Sequence, residues 1–474
     1  MATATVKFHV LDVGQGACNY VEILNGQGAV TNNLLIDLGT NSSQAIATAN
    51  LQWLRDKIIA NNRYLDVLII THGDTDHYNM IAKILPAFGQ PNHQQIGMTR
   101  YGGPAWRYGG GGLITTLAGY TVLRDLQDQA SANIGGFTPS QTGYDEATDP
   151  VWTPIWAAAQ AATEPRLQLI VANTPHPRDP VSMAKKQSMN AEAINTKSVV
   201  LTLQWGDYWI LATGDATSTT LAEINEILEL ADQDTFPRTF MLTLPHHGSR
   251  KTTYDLKNAN DIPDFDARAV VSEFLDIFEP ITMSISAGEK RHHHPSMYMI
   301  LQFSGKLTAA DPYWSDPALD GDRHFMTSWV DKAITAVFID PAWPLRWQYA
   351  TTKTRLNAYS TLYFNNAQYN SEGYPQYLCP PFPAPSYGPE PQQVNDVPMG
   401  RNWEFRWTAN ARSVISTTNA ARAMAEAPDF VPGGGAAAAR ALPAGAGRAS
   451  AAPPPRRPIA ERLGPRLRGL RTIG

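Results

Sequence analysis

The sequence predicts an α/β fold, and three observations carry that expectation. Strand-length apolar runs alternate with helical spacing through the opening third. Several of these runs stop abruptly at short turns rich in glycine, histidine and aspartate. Further on, Ser198 to Gln204 and Tyr208 to Thr213 are spaced as a hairpin joined through Trp205-Gly206-Asp207.

The elements follow in order. Val6 to Val13, Asn19 to Leu24 and Asn33 to Asp37 read as strands, the third ending in Gly39. Ser43 to Asn61 has helical spacing, with Ile46, Leu51, Leu54 and Ile58 on one face. The apolar run Leu65 to Ile70 is a strand, and a helix is expected over Asn79 to Leu85. From about Gly89 to Leu167 the pattern weakens, with Gly109 to Gly112 among its breaks; this reads as an insertion lying over a site. No Gly-Lys-Ser/Thr follows these glycines, so they make no phosphate-cradling loop.

Regular strands return at Leu167 to Val171 and in the hairpin. A helix follows at Leu221 to Asp232, then strands at Thr239 to Leu244, Ala269 to Ser272 and Met283 to Ser286. Further strands are expected at Thr335 to Ile339, Trp347 to Phe364 and Trp403 to Trp407, interrupted by a Pro/Tyr/Gln-rich loop from Pro375 to Pro398. The domain expectation is one unit over residues 1–370, an extension packed on it over 371–427, and a disordered tail over 428–474. Ala, Gly, Pro and Arg dominate that tail, which has too little apolar surface to offset the entropy of ordering it. Its eight arginines, from Arg440 to Arg471, make it a basic segment able to contact polyanions.

At 474 residues with 43% hydrophobic and 17% charged, the chain can bury a large core, and its composition is that of a globular protein. A formal net charge of −5 excludes a globally basic, nucleic-acid-coating surface. Cys18 and Cys379 make neither a disulfide framework nor a zinc knuckle. No run approaches the ~18–20 apolar residues that span a bilayer, and the first residues lack the charged and apolar regions of a secretory leader. A cytoplasmic location is therefore the expectation.

The chemistry is concentrated in Thr71-His72-Gly73-Asp74-Thr75-Asp76-His77, directly after the strand Leu65 to Ile70. Four side chains with imidazole nitrogen or carboxylate oxygen fall within six residues, the mixture that hard and borderline cations want. In a merely structural turn they would repel and desolvate one another, so the motif reads as a metal site. Three later strand ends add to it. Gly214-Asp215 places a carboxylate able to bridge two cations. His246-His247-Gly248-Ser249 presents paired imidazoles, and Arg291-His292-His293-His294-Pro295-Ser296 brings a further histidine run.

In this order the motifs resemble the metallo-β-lactamase superfamily, and within it the hydrolase domain of ComEC-type DNA-uptake proteins. Leu11-Asp12-Val13-Gly14-Gln15-Gly16, Leu35-Ile36-Asp37 with Gly39, and Asn195-Thr196-Lys197-Ser198-Val199-Val200 belong to the same pattern. The resemblance covers about residues 5 to 300 and extends to about 365 through Ala350-Thr351-Thr352-Lys353-Thr354. It implies an αββα sandwich with a metal site at one sheet edge. By position it implies that His72 and Asp74 bind one cation and that Asp76 and His77 bind a second. Asp215 would bridge the two, and His246 would close the second site. His246 is preferred over His247 as the first off the strand, a choice the sequence leaves open. His247 is then expected to support the ligands from behind or to face a phosphate, and His294 to donate to a substrate oxygen or leaving group.

The chain departs from the superfamily at Asp74, which stands where a histidine is usual, as in the ComEC-type branch. The middle ligand histidine has no plain counterpart; His176 and Asn195 are the candidates. More oxygen ligands at the first position lean it toward Mn²⁺ over Zn²⁺. Ala17 replaces a carboxylate, and Tyr78-Asn79-Met80 replaces a Gly-Gly, crowding the mouth of the site. ComEC carries many membrane spans, whereas no span is expected here.

The resulting expectation is a hydrolase that uses one or two divalent metal ions, Zn²⁺ or Mn²⁺, to activate water against a phosphodiester, most naturally a nucleic acid or nucleotide. Two alternatives compete with it: hydrolysis of a carboxylic ester, lactone or amide, and a non-catalytic metal-binding module that contacts nucleic acid.

Overall fold

The computed structural model describes residues 4–121 (without 12, 14, 42, 43 and 93), 134–137, 141–142, 153–158, 165–176, 191–230 (without 207), 238–278 (without 258–262), 280, 282–288, 299, 302–303, 324–330, 333–339, 401–408 and 412–418. The first half supplies β1 (Thr5–Val10), β2 (Cys18–Leu24), β3 (Val30–Leu38), α1 (Gln44–Ala60), β4 (Leu65–Ile70), α2 (Thr75–Tyr78) and α3 (Ile81–Phe88). Next come β5 (Ile96–Tyr101), α4 (Gly112–Ala118), β6 (Ile134–Gly136), β7 (Gln141–Thr142), β8 (Thr153–Ala157) and β9 (Arg166–Ala172). The second half adds α5 (Ala191–Asn195), β10 (Val200–Trp205), β11 (Tyr208–Ala212), α6 (Ser218–Leu230) and β12 (Arg238–Thr243). It continues with α7 (Arg250–Thr253), α8 (Phe265–Phe278), β13 (Thr282–Gly288), β14 (His324–Val330), β15 (Ala333–Ile339), β16 (Arg401–Trp407) and β17 (Arg412–Thr418).

These strands form two sheets. The first runs in the order β17-β16-β1-β2-β3-β4-β5-β6, and the second β14-β15-β13-β12-β11-β10-β9-β7, with β8 also on β9. Each sheet changes from antiparallel meander to parallel strands partway across. In the first, β3, β4 and β5 are parallel, and the helices α1 and α3 make the crossovers that parallel pairing requires. In the second, β11, β12 and β13 are parallel, with α6 and α8 as crossovers.

The inner faces pack on one another. Val6, Phe8, Ile23, Leu34 and Ile69 from one sheet share a buried cluster with Leu169, Leu201, Ile210 and Phe240 from the other. From β16, Phe405 and Trp407 close that cluster against Phe240, with ring centroids 5.7 and 6.0 Å apart. On the outer face of the first sheet, Leu54, Ile58, Ile81 and Ile84 of α1 and α3 cover Leu35, Leu68 and Ile70. Outside the second sheet, Phe278 of α8 lies 5.8 Å from Trp209, and Asn225 of α6 donates to the Val270 carbonyl at 2.9 Å. The architecture is therefore an αββα sandwich.

A polar network sits under α1. His9 Nε2 lies 3.1 Å from Glu22 Oε2, and Lys57 Nζ reaches Glu22 Oε1 at 2.7 Å. Glu404, opposite His9 in the β1–β16 register, approaches its Nδ1 to 3.8 Å.

One predicted strand is overturned: Ala269 to Ser272 lies inside α8. The short run Ala-Val-Val-Ser suits a strand in isolation, but Val271, Phe274, Leu275 and Phe278 are buried at helical spacing. Six of the described strands went unread: β5, β6, β7 and β8, all within the weakly patterned 89–167 span, and β14 and β17. Of these, β5 pairs with β4, and β14 pairs with β15. The expected strand Trp347 to Phe364 and the basic tail lie outside the described residues. Among the described residues, no helix is long and apolar enough to cross a membrane.

Candidate metal centre

The carboxyl ends of the parallel strands of both sheets converge at one edge of the sandwich. Near the end of β3 stands Asp37; after β4 come His72 and Asp74, and then α2 presents Asp76 and His77. Beyond β11 the chain turns through Gly214 to Asp215, and beyond β12 the turn Pro245–Gly248 carries His246 and His247. The two sheets are tied here by Val199 N–H donating to the Thr71 carbonyl at 2.9 Å.

Local conformation explains several residue types. Gly39 lies against the backbone of α2, where an added Cβ would fall 2.4 Å from the Asp76 carbonyl carbon and 2.6 Å from His77 N. Gly214 has φ +53°, and a Cβ on it would meet Thr71 at 2.9 Å. Asp37, His246 and His247 are non-glycine residues at φ 61°, 45° and 53°. Such conformations cost about 1–3 kcal/mol each and persist only where the surroundings impose them.

Three imidazoles are oriented alike. His77 Nδ1 donates to Asp37 Oδ2 at 2.8 Å, and His247 Nδ1 donates to the Ser286 carbonyl at 2.7 Å. The Thr71 hydroxyl donates to Asp37 Oδ2, so its oxygen is left to accept from His72 Nδ1 at 3.1 Å. With each Nδ1 protonated and engaged, each Nε2 presents its lone pair to the cluster, the arrangement that metal-binding histidines use.

The facing atoms are close. His77 Nε2 is 3.0 Å from Asp215 Oδ1, and His72 Nε2 is 3.3 Å from Asp215 Oδ2. His247 Nε2 lies 3.5 Å from Asp76 Oδ2 and 3.8 Å from Asp215 Oδ1. Yet His72 Nε2, His77 Nε2, His247 Nε2 and both Asp215 oxygens are buried with no hydrogen-bond partner. Buried polar atoms left in this way are costly unless a ligand satisfies them. His72, His77 and Asp215 form one group that could hold a cation, and Asp76, His77 and His247 form another. The donor set is nitrogen and oxygen without sulfur, which suits Zn²⁺ or Mn²⁺.

The carboxylates and imidazoles also favour one another's charged forms, so a bound cation would take the place of protons. Burial alone would raise the Asp76 carboxyl, but His247 and His77 hold it below the usual carboxylate range. Burial would likewise raise Asp215, and the surrounding imidazoles of His246, His77, His72 and His247 outweigh it, keeping it well below that range. Against burial, Asp215 and Asp37 raise His77 well above an ordinary imidazole, and Asp215 raises His246.

The other predicted residues fall as follows. Asp74 sits at the rim, Oδ2 3.9 Å from His72 Nε2 and Oδ1 3.3 Å from Arg107 Nη2. His246 Nδ1 is 2.7 Å from Asp215 Oδ2 and 3.0 Å from Asn195 Nδ2. His176 pairs with Asp255 at 3.6 Å instead, so Asn195 is the residue of that interval found at the centre. His294 lies outside the described residues. Sequence reasoning gave no role to Asp37, Ser286 or Arg107. The signal for Asp37 was present, since a carboxylate ending a strand beside Gly39 parallels Gly214-Asp215.

Fold and centre together define the class: an αββα sandwich with a buried histidine–aspartate cluster able to hold a divalent cation. Among solved structures, YhfI from Bacillus subtilis, a metallo-β-lactamase fold protein, is 14% identical over 50% of this chain and 71% of its own, with a TM-score of 0.27. Yeast PDE1 is 8% identical over 51% of this chain and 75% of its own, with a TM-score of 0.29. The CmlA β-hydroxylase is 11% identical over 62% of this chain but only 49% of its own, with a TM-score of 0.28. No family model and no curated protein matches the chain. At identities and TM-scores this low, function has to be read from the site itself.

Proposed function

We propose that the protein is a metal-dependent hydrolase acting on phosphodiesters, with a nucleic acid or nucleotide as substrate. The observation that supports this most is the convergence of three oriented Nε2 atoms on the two oxygens of Asp215.

His77 Nε2 belongs to both cation-capable groups, and one lone pair serves one cation. The fuller set is Asp76, His77 and His247 with Asp215; His72, Asp74 and the second Asp215 oxygen form the other position. In this reading His247 is the ligand, because its Nε2 is buried, unpartnered and beside Asp76. His246 holds the outer face of Asp215 instead. When bound, a divalent cation supplies Lewis acidity and a water acidified toward neutral pH. Asp76 lies where it can orient that water, and the ionised carboxylates keep the centre selective for cations. Asp37 and the Ser286 carbonyl fix the tautomer and the aim of the imidazoles. His294 retains its sequence-based role as donor to a substrate oxygen.

The test is hydrolysis of bis(p-nitrophenyl) phosphate and of p-nitrophenyl acetate by protein stripped of metal and then reloaded with Mn²⁺ or Zn²⁺. Cleavage of the diester that Asp76→Ala abolishes, with fold retained, is the expected result. Cleavage of the acetate alone would reassign the substrate to the acyl class.

A further inference from the structure

Arg107 belongs to none of the ligand-bearing turns, yet it stands at their rim. It closes the short turn Ala105–Arg107 that follows β5. Its Nη2 is 3.3 Å from Asp74 Oδ1, and Asp74 Oδ2 is 3.9 Å from His72 Nε2, so one carboxylate separates the guanidinium from the imidazole cluster.

The residue is held through its backbone, its stem and its guanidinium. Tyr78, next to His77, donates its hydroxyl to the Arg107 carbonyl at 3.1 Å. The Arg107 stem fills the space a side chain would need at Gly73, where a Cβ would meet Arg107 Cβ at 2.6 Å. Its guanidinium carbon lies 5.6 Å from the centroid of the Trp106 ring. Despite this fixing, Nε is buried without a hydrogen-bond partner, and the contact to Asp74 is long for an arginine–carboxylate bond. An arginine present only to anchor the loop would have its N–H groups satisfied. With 26% of the side chain exposed, a ligand arriving at the rim can reach it.

We propose that Arg107 binds the anionic, non-bridging oxygens of the substrate at this centre; the inference rests on the phosphodiester reading above. A planar guanidinium matches the spacing of phosphate oxygens in a way a lysine does not. It gains little from a neutral carboxylic ester, so the same residue sets the preference for phosphoesters.

The experiment uses the full chain reloaded with Mn²⁺, with Arg107→Met and Arg107→Lys as variants. Bound metal is measured by elemental analysis, binding of inorganic phosphate by calorimetry, and kcat and KM on bis(p-nitrophenyl) phosphate by absorbance. Arg107→Met is expected to keep its metal, to bind phosphate roughly ten- to a hundredfold more weakly, and to lose kcat/KM mainly through KM. Arg107→Lys should recover only part of this, and added guanidinium ion should restore part of the Arg107→Met loss. Metal lost together with activity, or phosphate bound equally well by wild type and variant, would overturn the assignment and leave Arg107 as a support for Asp74. The two readings separate cleanly. A phosphodiesterase indifferent to Arg107 removes only this inference. Arg107-dependent phosphate binding without diester cleavage removes only the proposed reaction.

Discussion

Asp37 touches no cation position, yet it determines what His77 can do. By accepting from His77 Nδ1 and from the Thr71 amide and hydroxyl, it fixes the imidazole tautomer and aim. Such outer partners are typically worth about 10- to 100-fold in metal affinity. Asp37→Asn should therefore weaken Mn²⁺ binding by about that factor, read by competition with a chelator; unchanged affinity would show that His77 needs no such hold. The adjacent histidines make a second contrast at this scale. His247→Ala should lose metal outright, whereas His246→Ala should keep much of it, because His246 only flanks Asp215. The pairing could not be resolved from the sequence: two neighbouring histidines in a turn are told apart by φ and ψ, and both here adopt left-handed values. By contrast His72, Asp76, His77 and Asp215 were legible, since spacing and strand ends alone bring them forward.

The elements deliver these residues through close backbone contacts. α2 has only four residues and is held because Gly39 lets its chain approach: Ala17 N–H donates to the Asp76 carbonyl at 3.0 Å, and Gly39 N–H to the Ala17 carbonyl at 3.1 Å. Gly39→Ala must push α2 outward. It should cost about 1–3 kcal/mol and lower metal affinity together with Tm, followed by thermal unfolding with and without Mn²⁺. A Tm unchanged from wild type would mean that α2 is not clamped there. Element boundaries were legible where burial is two-sided and the run long, as in Leu65 to Ile70, which reads as β4 to the residue. They were not where local preference opposed tertiary context. The β-branched pair Val270-Val271 is helical because α8 buries a stripe against Trp209 and α6. β5, interrupted by Gly97, carries too short an apolar pattern to announce itself.

At the scale of the whole molecule, two sheets are held face to face by an apolar core and joined at one end by a cluster of charges. Cation binding should therefore stabilise the fold, by about 2.7 kcal/mol when free metal is a hundred times its Kd; stripping with chelator should lower Tm measurably. Away from the centre, acid also acts at the His9–Glu22–Lys57 network that ties α1 to the first sheet. Burial alone would raise the Glu22 carboxyl, but hydrogen bonds from His9 and Lys57 bring it from 4.5 down to about 2. A folded value below the unfolded one means that the stabilisation is complete at neutral pH and is lost as pH falls from about 4.5 to about 2. Glu22→Gln should be less stable at pH 7 and flatter through that window, as denaturant titrations across pH would show. The αββα layering was implied by resemblance in the motifs rather than by periodicity, because layer order depends on pairings between β1 and β16 almost four hundred positions apart.

The central claim is that this histidine–aspartate centre hydrolyses phosphodiesters with bound metal. The most direct measurement is a titration of metal-stripped protein with Mn²⁺, following bound metal and the rate of diester cleavage in the same samples, beside Asp76→Ala. The account predicts a rate that rises with bound metal and levels off when the centre is filled, while the variant stays inactive. A rate that is flat across the titration, or equal in Asp76→Ala, would contradict it.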